Sequence, residues 1–77
     1  MIFTLQKGKR YRTTLTLGFV ERIATNETIA DKFREAGFTD VNVKGEGGTR
    51  YAEGVWSSDD LRPTFPPQVS EVSEVAA

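Results

Sequence analysis

One stretch of this chain, Asn26-Glu27-Thr28-Ile29-Ala30-Asp31-Lys32-Phe33-Arg34-Glu35-Ala36-Gly37-Phe38, limits what the rest can be. It carries a start, an apolar stripe and a stop for one short helix. Ile29, Ala30, Phe33 and Ala36 fall near i, i+1, i+4 and i+7 and share one side, while Asp31, Lys32, Arg34 and Glu35 share the other. The pattern predicts a helix capped by Asn26, with Glu27 in the first turn, where the helix dipole favours a negative charge. Gly37 suits the position after the last turn, where the backbone takes a positive φ, and Phe38 is placed to fold back on that turn. The remaining segments read as strands that cover the apolar stripe.

Arg10-Tyr11-Arg12-Thr13-Thr14-Leu15-Thr16-Leu17 alternates cleanly, with Tyr11, Thr13, Leu15 and Leu17 on one face. Ile2-Phe3-Thr4-Leu5 is a shorter alternating run, and Lys7-Gly8 between the two suggests a hairpin. Beyond the helix, Asp40-Val41-Asn42-Val43-Lys44 turns Val41 and Val43 inward. Gly45-Glu46-Gly47-Gly48 reads as a turn and Thr49–Trp56 as the partner strand, with Gly54 marking a bulge or a close approach of another chain. The sum is a small α+β domain over residues 1–57: an antiparallel β-β-α-β-β sheet with one main helix on one face. Phe19, Ile29, Phe33 and Phe38 are its expected core. The segment Gly18–Thr25 has its own apolar direction, roughly 100° from that of the helix, so a short turn or a bent linker is expected before a new start at Thr25-Asn26. One kinked helix from Val20 to Ala36 is the alternative.

From residue 58 the composition changes. Pro63, Pro66 and Pro67 interrupt regular structure, and Val69-Ser70-Glu71-Val72-Ser73-Glu74-Val75 repeats with a period of three that matches neither a helix nor a strand face. Residues 58–77 are therefore expected to be an acidic extended tail, disordered or docked on a partner. Charge is split in the same way. Residues 1–50 hold nine Lys/Arg against six Asp/Glu; residues 51–77 hold Arg62 against five acids. Such a division lets body and tail attract each other within a molecule or between neighbours.

The residue inventory excludes several chemistries. There is no cysteine and no histidine among the 77 residues, so disulfides, the common zinc sites and the usual general base and soft nucleophile are missing together. Asp59-Asp60 sits in a proline-flanked loop, and Glu53 is expected to pair with an arginine. No catalytic constellation results: the chain is expected not to be an enzyme and to need no cofactor or metal. Gly45–Arg50 is Gly-rich but lacks the Gly-Lys-Ser/Thr of a phosphate loop, and a hairpin turn accounts for it. With no long apolar run and no signal-peptide pattern at Met1-Ile2-Phe3-Thr4, a cytoplasmic location or an assembled particle is expected.

Three functional readings remain. A small core, open sheet edges and a tail of opposite charge favour a non-enzymatic structural or interaction subunit that builds a homo-oligomer or a larger particle, by analogy of shape a virus- or phage-type component. Tyr51, Trp56 and Phe65 are the expected partner anchors. The cluster Lys7, Lys9, Arg10 and Arg12, joined by Lys44 and Arg50, suggests instead a nucleic-acid-binding module. Finally, Ala30-Asp31-Lys32-Phe33-Arg34-Glu35-Ala36-Gly37-Phe38 followed by Val41-Asn42-Val43-Lys44-Gly45-Glu46-Gly47-Gly48-Thr49-Arg50-Tyr51 resembles half of a SPOR-type module over roughly residues 11–56. That resemblance implies a sheet that binds bare peptidoglycan glycan, with the proline-rich tail standing where the module has its second helix.

Overall fold

A computed structural model describes residues 3–75. It contains β1 (Arg10–Thr16), a 3-10 turn (Glu21–Ile23), α1 (Asn26–Ala36), β2 (Phe38–Glu46), β3 (Thr49–Trp56) and β4 (Val69–Val75). The strands form one antiparallel sheet in the order β2-β3-β1-β4. The fold is thus a small α+β domain with one helix on a four-stranded sheet.

The element order departs from β-β-α-β-β. Leu5 makes only an isolated bridge to Leu61, with reciprocal backbone bonds of 2.7 and 2.9 Å. Ile2 lies outside the described residues. The turn at Lys7-Gly8 forms, with Gly8 at φ 86°, but the arm before it folds onto residue 61 instead of pairing with β1. The place beside β1 is filled by Val69–Val75, from the segment expected to stand apart as a tail. Its period of three fits because the register shifts between Thr14 and Leu15, and only Val72 needs full burial.

The expected helix is present, with its cap one residue earlier. Thr25 Oγ1 accepts from the Thr28 N–H at 3.1 Å. Asn26 is drawn away from capping: its Nδ2 donates to Gly45 O at 3.0 Å and its Oδ1 accepts from Arg50 at 2.8 Å. Gly37 ends the helix at φ 124°, and a Cβ there would lie 2.6 Å from Ser58 Oγ and 3.1 Å from the Trp56 ring. Phe38 folds back onto Phe33, with ring centroids 5.5 Å apart. Gly54 does face a bulge. Thr39 pairs Val55 and Asn42 pairs Glu53, so Asp40 and Val41 together oppose Gly54, and Asp40 has a positive φ of 51°.

Two apolar clusters lie between the sheet and its cover. Leu15, Leu17 and Ala52 pack against Ile29 of α1. Leu5, Tyr11, Trp56 and Val72 pack under the N-terminal arm and the proline-containing crossing, with Phe3, Phe38, Phe65 and Val69 against them. Among the described residues no helix is long and apolar enough to cross a membrane.

Candidate functional site

Strand alternation sends Tyr11, Thr13 and Leu15 of β1 and Arg50, Ala52, Gly54 and Trp56 of β3 towards the cover. The intervening residues face away, where no helix lies. Arg12, Thr14, Tyr51, Glu53, Lys44 and Ser73 line a shallow concavity of about 480 Å³ on that open face. Register builds it: Arg12 lies opposite Glu53 and Ser73, and Tyr51 lies between Thr14 and Lys44. Glu53 accepts from Arg10 and Arg12, both at 3.3 Å, and Arg10 also pairs with Asp40. The expected arginine partner for Glu53 is therefore present twice. Lys44 makes no ion pair among the described residues, and Tyr51 is half exposed.

The structure separates the six cations read together in the sequence. Arg10, Arg12 and Lys44 share the open face. Lys7 and Lys9 sit at the turn before β1, where the Lys7 N–H donates to Asp60 at 2.8 Å and the Lys9 ammonium lies 3.8 Å from Glu74. Arg50 is on the helix side and buried, 5 % exposed. Its guanidinium donates to Arg22 O at 3.0 Å, Ala24 O at 2.9 Å, Gly47 O at 3.1 Å and Asn26 Oδ1 at 2.8 Å. A buried cation surrounded by four acceptors ties the loop after β1 to the β2–β3 turn and is closed to an external phosphate. The reason is parity: Arg50 shares a strand face with Ala52 and Trp56.

The three expected apolar anchors divide likewise. Tyr51 is on the open face. Trp56 is buried, its Nε1–H donating to Asp59 O at 2.8 Å, and Phe38 stacks edgewise on it at 4.9 Å. Phe65 is half-buried against Phe3 at 6.4 Å. Trp56 belongs to the core, and Phe65, on the crossing that follows β3, packs against that cluster as part of its cover.

The exposed apolar group is elsewhere. Phe19, Val20 and Ile23 are 87 %, 75 % and 84 % exposed, so the expectation of a core Phe19 does not hold. The loop that carries them is tied down. Glu21 accepts from the Gly18 N–H at 2.7 Å and from the Gln68 amide, and the Leu17 N–H donates to Gly48 O at 2.7 Å. The Gly18 N–H first, and the Gln68 amide second, hold the Glu21 carboxyl below its ordinary range. The signal for these residues was the 100° disagreement between the apolar directions of 18–25 and α1, because one core cannot take both.

The helix ending, Gly-rich turn and paired strands read in the sequence are present as α1, β2, the turn at Gly47-Gly48 and β3. After β3 comes the proline-containing crossing and a strand. Comparison with family models, with curated proteins and with solved structures finds no match. Among the described residues no group of three or more acidic side chains is arranged to hold a metal ion.

Proposed function

We propose that this chain is a non-enzymatic structural subunit that associates with copies of itself, in a homo-oligomer or a larger particle of virus or phage type. The observation that carries the reading is the trio Phe19, Val20 and Ile23, held almost fully in water by a loop that polar bonds fasten at several points. A loose loop would fold such side chains onto the nearest apolar surface. Holding them outward keeps an apolar contact ready for another chain at little ordering cost. The core expected to be too small for comfort gains from such a contact, since association stabilises the folded form by mass action. The test is light scattering behind size exclusion on the full chain and on Phe19→Asp/Ile23→Asp. The doubly charged variant is expected to stay folded and lose its higher-mass species; an unchanged mass distribution would sink the reading.

The open face favours a second reading, a single-stranded nucleic acid stacked on Tyr51 with Arg12 and Lys44 against its phosphates. It ranks lower because Glu53 already faces Arg10 and Arg12. That reading requires affinity for an oligonucleotide that falls steeply with salt and is lost in Tyr51→Ala/Lys44→Gln.

A further inference from the structure

We infer that the free edge of β4 pairs with β4 of a second copy, antiparallel, about a twofold axis at Val72. The inference rests on the self-association reading and names a surface for it. The sheet has two outer strands, β2 and β4. The β2 edge is broken by the bulge at Asp40-Val41, where Asp40 has positive φ, and such a kink turns an edge away from further pairing. The β4 edge has no such break over Glu71–Val75, which pairs in steady register with β1 on its other side.

The order of residues in β4 is self-complementary. With Val72 at the centre, Val72 faces its own copy, Glu71 faces Ser73, and Ser70 faces Glu74, each twice by symmetry. No carboxylate meets a carboxylate directly. Moving the centre to Glu71 would set Glu71 against itself, and moving it to Ser73 would set buried Val72 against Glu74. A twofold axis normal to the sheet also keeps opposite residues on one face. That condition is met, since Glu71 and Ser73 line the open side while Val72 packs in the core. The register shift at Ser70 ends the regular strand there, so Glu71–Ser73 forms the firm part of the contact. The result is one sheet continuous through two molecules. An edge contact alone covers less than the roughly 1,200–2,000 Å² of a standard stable interface, so the pairing depends on concentration and adds to other contacts.

Sedimentation equilibrium of the full chain over a wide concentration range tests the pairing, alongside Ser73→Glu, Glu71→Lys/Ser73→Glu and Phe19→Asp/Ile23→Asp. Ser73→Glu places glutamates opposite each other at both symmetric positions. Within its own sheet it lies beside Arg12, which favours the fold. The expected result is association weakened by about tenfold, two like-charged pairs being opposed at once, and recovered when Glu71→Lys is added. Weakening without recovery in the paired variant would overturn the register. Association unaffected by Ser73→Glu but abolished by Phe19→Asp/Ile23→Asp would overturn the β4 edge and leave the subunit reading standing. A full chain that stays monomeric at every concentration would overturn both.

Discussion

The loops at 18–25 and 57–68 are both irregular, both carry large apolar side chains, and end oppositely. In the first, Phe19, Val20 and Ile23 stand in water while polar bonds from Glu21 and Arg50 hold the backbone. In the second, Leu61 is held to Leu5 by backbone bonds while its side chain stays 46 % exposed, and Phe65 packs half-buried against the cluster that contains Trp56. The difference lies in what each loop finds beneath it. Residues 57–68 cross the covered side of β1, where Tyr11 and Trp56 need cover. Residues 18–25 round the end of the sheet, where Ala24 reaches the apolar cluster and the remaining ties run to a buried guanidinium and a hairpin turn. Apolar content alone does not decide burial; the surface underneath does.

The strongest test of this contrast is Trp56→Ala. Emptying that space under the second loop is expected to cost about 3–5 kcal/mol, enough to unfold much of a small domain, as read by urea or thermal unfolding. A loss below about 1 kcal/mol would mean that residues 57–68 do not form a packed cover. Next comes Arg50→Met, which removes the tie under the first loop and strands several buried acceptors. We expect a loss of about 2–4 kcal/mol, whereas Arg12→Met on the open face should cost about 0–1 kcal/mol. Equal effects would erase the distinction between the two faces of the sheet. The smallest effect is that of pH at Glu21. Its carboxyl titrates below the ordinary value in the folded chain, so its support is present above that value and is lost as the pH falls through the folded one. The Gly18 amide resonance should follow this titration with an acid-shifted midpoint and stop responding in Glu21→Gln. A midpoint at the ordinary carboxylate value would show that the loop is not fastened there.

Much of the fold was legible because it is written in local periodicity. The helix, β1, the β2–β3 hairpin and the bulge opposite Gly54 all follow from spacing and glycine placement. The fourth strand was not. Valines at every third place suit no strand face until a bulge resets the alternation, and a bulge forms only against a partner already in position. The candidate site was less legible still. Its cations look like one cluster in the sequence because neighbours in the chain need not share a face. Arg50 and Tyr51 are adjacent, yet one is buried under the helix side and the other lies on the open face.

By itself the sequence determined the helix and its stop, three of the four strands, and the absence of cysteine and histidine chemistry, since each depends on residues within a few places of one another. Only the tertiary structure decided which segment completes the sheet, which aromatics are covered and which cations are free. Those outcomes turn on contacts between residues far apart in the chain, such as Leu5 with Leu61, Glu21 with Gln68 and Thr13 with Val72. Such contacts compete for the same surfaces, and the winner is set by the packing of the whole domain.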